Sequence, residues 1–241
     1  MTPFSHQPRR ITLFAGHYGS GKTNVALNYA RHLRRTGARV AVADLDIVNP
    51  YFRTKDSAAQ LKAEGIELVV SDYANSNVDF PALPREIYSL VAADAPGPSH
   101  VVVDVGGDDR GALALGRYVD DIRAGGDYEM LGVVNAARPL TRTPPDAVSV
   151  LREVEAAGGI PFTGLVNNTN LGQETRASDV LASHAFADEV SRLMGVPVVF
   201  TACREDLFAE LQPTLGAAPL FPLRIQPLYY QAVRGESDYL V

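Results

Sequence analysis

Residues 16–23 read Gly-His-Tyr-Gly-Ser-Gly-Lys-Thr, a Gly-x-x-x-x-Gly-Lys-Thr spacing suited to holding phosphate. Gly16, Gly19 and Gly21 let the backbone turn where a side chain would obstruct it. The amides of the loop, through His17, Tyr18 and Ser20, can then converge on an anion at a helix N-terminus. Lys22 is placed to reach the outer phosphate oxygens. Thr23 is placed to offer its hydroxyl to magnesium, and Asn24 completes the binding stretch. The plain alternative is a Gly-rich turn between a strand and a helix.

Two further segments supply carboxylates. The apolar run 40–43 ends in Asp44-Leu-Asp46, and the run 101–103 ends in Asp104-Val-Gly-Gly107-Asp108. Strand alternation puts Asp44 and Asp46 on the same side of the chain. An Asp after a buried strand is the expected magnesium-side group of a phosphate-loop site, so Thr23, Asp46 and Asp104 are expected at the metal. The pair Gly106-Gly107 would let the backbone approach a γ-phosphate closely. Each Asp could instead cap a helix or close a turn.

A third strand end, Asn167-Asn168-Thr169-Asn170, follows the run 164–166. It stands where a guanine-binding site carries an Asp. Asn170 offers an amide there, which disfavours guanine and suits adenine. A polar turn is the competing reading.

These groups need elements to hold them. Near-continuous apolar runs at 11–15, 40–43, 68–70, 101–103, 131–134, 164–166 and 198–200 suit strands buried on both faces. Helix-compatible segments at 22–36, 84–93, 143–157 and 176–194 lie between them, with Pro84 suited to a first helical position. Alternation of this kind predicts right-handed crossovers and an α/β fold with a mostly parallel central sheet. Ligands of such sheets sit at the carboxyl ends of the strands. The stretch from about 215, broken by Pro219, Pro222 and Pro227, reads as a C-terminal extension packing over the sheet.

Composition bounds the rest. The 241 residues suggest a single domain over 1–241, and 46% apolar residues suffice for a core. Lys plus Arg is 22 against 28 for Asp plus Glu, a net charge of −6, so no nucleic-acid partner is expected. One cysteine, Cys203, excludes an internal disulfide framework and reads as a small buried residue. The histidines His6, His32, His100 and His184 show no metal-ligand spacing. No run approaches the length of a membrane span, and 1–10 lacks a signal-peptide core, so a cytoplasmic protein is expected.

The loop 16–23, Asp44-Leu-Asp46 and Asp104-x-x-Gly107, in that order, resemble the MinD/ParA/CobQ-type nucleotide-binding domain, a deviant-Walker group of the SIMIBI class, across about 10–205. The resemblance implies a three-layer P-loop NTPase fold, ATP, magnesium and often an ATP-dependent homodimer. It implies that Asp46 orients the attacking water, that Asp104 and Gly107 open the second switch, and that Asn167 contacts the base. It also exposes a departure. The group carries a lysine directly after the first glycine, reaching the partner's phosphates, and here that position is His17. Arg53 or Arg138 could stand in as a finger-type cation; either could equally be a solvated loop arginine.

The resulting expectation is a magnesium-dependent, slow ATPase with Lys22 and Asp46 as catalytic residues, switching the stretches 46–56 and 104–111 for an unknown protein partner. An ATP-dependent ligase or kinase, with Arg53 and Lys55 gripping a small carboxylate substrate, is a second class. A non-hydrolysing nucleotide-binding module is a third. Tyr229, Tyr230 and Tyr239 would be a partner surface or an aromatic lock.

Overall fold

Each of the uninterrupted apolar runs forms a strand, and the strands lie side by side in one sheet. The computed structural model describes residues 4, 6–46, 58–70, 85–92, 97–107, 109–216 and 218–225. Within these, β1 (Ile11–Ala15), β2 (Val40–Asp44), β3 (Glu67–Val70), β4 (His100–Asp104), β5 (Tyr128–Val134), β6 (Gly164–Asn167), β7 (Val198–Arg204) and β8 (Leu220–Leu223) pair in the order β3-β2-β4-β1-β5-β6-β7-β8. Every pairing is parallel. The expected α/β fold with a parallel central sheet is the one observed.

The helices are α1 (Lys22–Arg35), α2 (Ala58–Ala63), α3 (Arg85–Val91), α4 (Asp109–Gly116), α5 (Val119–Gly125), α6 (Pro144–Gly158), α7 (Ala177–Met194) and α8 (Phe208–Leu215). Strand residues alternate between two cores. Leu13, Val101 and Val103 face α3 to α7, whereas Phe14, Val102 and Val42 face α1 and α2. That division gives the three layers. The long helices end as their residues dictate: Thr143 and Pro144 open α6, and left-handed Gly159 and Gly195 stop α6 and α7.

One expectation needs correction. The chain beyond 215 does not simply lie over the sheet: Leu220–Leu223 extends it as the edge strand β8, with Pro222 opposite Cys203. A proline is tolerated there because an edge strand has one side free of ladder hydrogen bonds. The polar strand ends stand where the sequence put them: Asp44, Asp104 and Asn167 occupy the last positions of β2, β4 and β6. Arg53, Lys55, Pro84, Asp108, Tyr229, Tyr230 and Tyr239 lie outside the described residues, as do 47–56 of the first switch stretch. Cys203 is buried, and burial pushes its thiol up to about 12.

Candidate functional site

The strand register brings the acids together. Phe14 of β1 pairs with Asp104 of β4, and Asp104 pairs with Asp44 of β2. The loop leaving β1 therefore passes directly over the carboxyl ends of β2 and β4. It comprises Gly16, His17, Tyr18, Gly19, Ser20 and Gly21, and delivers Lys22, Thr23 and Asn24 into the first turn of α1. Gly21 is the N-cap residue, left-handed at φ 86°. A Cβ there would also collide with the Asn168 amide, so only glycine fits. No side chain caps α1 and no acid stands in its first turn. Its opening amides and the positive end of its dipole are thus left for an anion.

Lys22 is almost fully buried, and its Nζ donates to Asp46 Oδ2 at 2.8 Å. Asp44 accepts from the Asp46 amide at 2.9 Å. Asp104 is wholly inaccessible, with its carboxylate set beside Lys22 and the Thr23 hydroxyl. Among the described residues, one ammonium thus faces three buried carboxyl groups. Burial, then the neighbouring Asp104, pushes Asp44 up to about 8. Burial likewise lifts Asp104 to about 6, against the pull of Lys22 and Thr23. Burial alone would depress Lys22, but Asp104, Asp46 and Asp44 together raise it.

Gly107 closes the site from the β4 side. A Cβ on it would stand 2.8 Å from both the Gly16 carbonyl and the Tyr18 amide. The backbone at the expected second switch therefore rests on the phosphate loop itself. His17 spends Nδ1 on the Tyr18 carbonyl at 2.7 Å, and Tyr18 is 56% exposed. Ser20 is buried with a free Oγ.

The asparagines divide between the core and the loop. Asn167 lies wholly buried and turned inward: its Nδ2 donates to Ser183 Oγ at 2.8 Å, and its Oδ1 accepts from Thr169 Oγ1 at 2.9 Å. Its neighbour Asn168 takes the loop side, donating from Nδ2 to the Ser20 carbonyl at 2.7 Å. Period-two alternation accounts for this division, since adjacent strand-end residues face opposite ways. Asn170 spends its amide on Asn168 O at 2.7 Å and accepts from Gly172 N at 3.1 Å. Asn135, at the end of β5, was passed over in the sequence. Its Oδ1 accepts from the amides of Ala137 and Asn170, joining the β5 and β6 loops. The available signal was a polar residue directly after an apolar run, the same that marks Asp104.

Arg138, in the turn after β5, lies against Gly19: its Nε, Cδ and Cζ stand 3.6, 3.7 and 4.0 Å from the place a Gly19 Cβ would occupy. A cleft of about 630 Å³ opens beyond Asn170, lined by Leu171, Gln173, Glu174, Thr175, Arg176, Ser178, Asp179 and Arg204. A smaller one of about 330 Å³ adjoins His17 and Gly107 and is walled by α6. Among the described residues, no three or more His, Cys, Asp or Glu form a metal cage, and no helix is long and apolar enough to cross a membrane.

Against known families, the sequence model described as the CobQ/CobB/MinD/ParA nucleotide binding domain matches residues 11–193. A comparison with curated proteins finds no match. Among solved structures, the fold resembles the 54 kDa signal recognition particle protein of Aeropyrum pernix K1 in complex with GDP, at TM-score 0.51 and 15% identity over 81% of this chain and 41% of that one. It resembles the signal recognition particle receptor FtsY of Elizabethkingia anophelis in complex with GDP, at TM-score 0.53 and 16% identity over 84% and 59%. It also resembles the chloroplast FtsY of Physcomitrella patens, at TM-score 0.54 and 18% identity over 82% and 59%. The chain thus spans between about two-fifths and three-fifths of the length of these structures. At such identities the likeness is one of fold.

Proposed function

The chain belongs to the CobQ/CobB/MinD/ParA nucleotide-binding family, and from that premise we propose that it binds ATP with magnesium and hydrolyses it slowly, as a switch read by a protein partner. The observation that carries this reading is the buried Lys22–Asp46 pair, 2.8 Å apart, at the uncapped start of α1.

That pair is balanced only while no other anion is near. A phosphate entering the loop competes for Lys22, and the ammonium exchanges a carboxylate for phosphate oxygens. Asp46 is then released to orient a water toward the γ-phosphate. The loop amides and Lys22 stabilise charge that develops on the transferred group. Asp104, wholly buried, and Thr23 beside it are the residues that would hold magnesium, which would supply the positive charge a triphosphate needs beside these acids. The backbone of Gly107, resting on Gly16 and Tyr18, gives the β4 loop a direct mechanical link to the loop's occupancy. A partner, whether a second copy or another protein, would read the face carrying exposed Tyr18 and Leu140.

Adenine is favoured because the β6 loop, 167–172, offers amides and no carboxylate for the two donors of guanine. Calorimetric titration of ATP and GTP, each with magnesium, tests the reading. The wild type is expected to bind ATP, and Lys22→Ala to lose about tenfold to a hundredfold in affinity, the worth of a charged hydrogen bond. No heat with either nucleotide would overturn the proposal, and preference for GTP would overturn its base assignment. Phosphate release stimulated by a small carboxylate rather than by a protein would move the reading to the ligase or kinase class.

A further inference from the structure

Arg138 is positioned by its own neighbours with unusual firmness. Asn135 shapes the turn after β5: its carbonyl accepts from the Arg138 amide at 3.3 Å and from Thr141 Oγ1 at 3.0 Å, while its Oδ1 holds the Ala137 amide at 2.9 Å. Pro139 then bars Arg138 from the helical region, and the residue is extended at φ −97°, ψ 135°. The side chain is laid across the phosphate loop at Gly19, where no side chain stands in its way.

The guanidinium reaches that place without an acceptor. Among the described residues its Nε is buried without a hydrogen-bond partner. A buried, charged N–H left unpaired is costly, so a fold that holds one in place beside a ligand loop is prepared for an acceptor that arrives with the ligand. The planar fork of arginine matches phosphate oxygens better than any other side chain. The site has use for a second cation. Among the described residues, Lys22 is the one cation facing Asp44, Asp46 and Asp104, and position 17, directly after the first glycine of the loop, holds a histidine whose Nδ1 is spent on Tyr18.

We propose that Arg138 is a phosphate ligand of this site, supplied in cis from the turn between β5 and α6 and closing on the nucleotide over Gly19. The proposal rests on the preceding reading that the loop holds a nucleoside polyphosphate, and it adds the residue that grips the phosphates from outside the loop. Because a guanidinium recognises phosphate and not the nucleoside, its effect must grow with the number of phosphates.

The test is isothermal titration of adenosine, ADP and ATP into the full chain as wild type, Arg138→Gln and Arg138→Lys, with magnesium, beside a thermal melt of each protein without nucleotide. Arg138→Gln is expected to weaken ATP about tenfold or more, ADP by less and adenosine not at all, with an unchanged melt. Arg138→Lys is expected to recover part of the loss, which a merely structural role would not produce. Equal ATP affinity in wild type and Arg138→Gln would overturn the assignment. So would the same loss for adenosine as for ATP, or a loss explained by a lowered melt. A wild type that binds none of the three would instead remove the nucleotide reading on which the assignment stands.

Discussion

At the scale of single residues, the site's chemistry is dominated by charge held away from water. Asp44 is the clearest case. Its carboxyl is pushed from an ordinary 3.8 up to about 8, so the folded chain keeps a proton that the unfolded chain gives up. A carboxyl shifted upward contributes stability that is present at low pH and lost as pH rises from about 4 to about 8. Asp104, lifted to about 6, adds in the same sense over the lower part of that window. Lys22, shifted upward, contributes below its ordinary 10.5 and loses that only at more alkaline pH, so it does not oppose the trend near neutrality. The nucleotide-free protein is therefore expected to melt at a lower temperature at about pH 8.5 than at about pH 5.5. Asp44→Asn keeps an acceptor for the Asp46 amide and removes the titration, so its melts are expected to vary less over that range. Identical pH profiles for the two proteins would refute the charge assignment.

At the scale of elements, the phosphate loop is held by the β6 loop, two strands away at the same end of the sheet. The Asn168 bond to the Ser20 carbonyl is buried and spans 148 positions of sequence. Asn168→Ala is expected to cost about 1–3 kcal/mol, the range for an unsatisfied buried carbonyl, and to weaken nucleotide binding because the loop loses its brace. Asn167→Ala is expected to cost comparable stability through Ser183 and Thr169 while leaving affinity within about twofold. Urea denaturation and nucleotide titration of both variants separate these roles. A large affinity loss confined to Asn167→Ala would restore that residue to the base. Glycines obscure a second element. Gly106 and Gly111 sit so close that a Cβ on either would strike the Cα of the other. The same glycines that permit this contact weaken the helical pattern at the start of α4, so Asp109–Gly116 was not legible as a helix.

At the scale of the whole molecule, the last described strand braces the first helix. Phe221 of β8 packs with Phe4, Tyr29, His32 and Phe200. Arg224 exchanges two hydrogen bonds of 2.9 Å with the Asn28 side chain. The helix that presents Lys22 and Thr23 is thus held by residues about 200 positions further on. Phe221→Ala is expected to destabilise the fold by about 3–5 kcal/mol, as for other fully buried aromatic truncations, with little change in nucleotide affinity of the fraction still folded. Guanidinium denaturation measures the first quantity and titration at low temperature the second. A cost below about 1 kcal/mol would show that β8 is dispensable.

What the linear chain determined was local: the glycine spacing of the loop, the acids that end β2 and β4, and the apolar runs that became parallel strands. Each depends on residues close in sequence, where conformational preference and alternation act directly. Tertiary structure decided the rest. It chose Asn168 over Asn167 for the loop, because strand pairing sets which face of β6 turns toward β1. It made a proline-broken tail an edge strand, because only the edge spares Pro222 a ladder bond. It brought Arg138 over Gly19, because a turn closed by Asn135 and Pro139 carries that side chain across the gap between neighbouring strands.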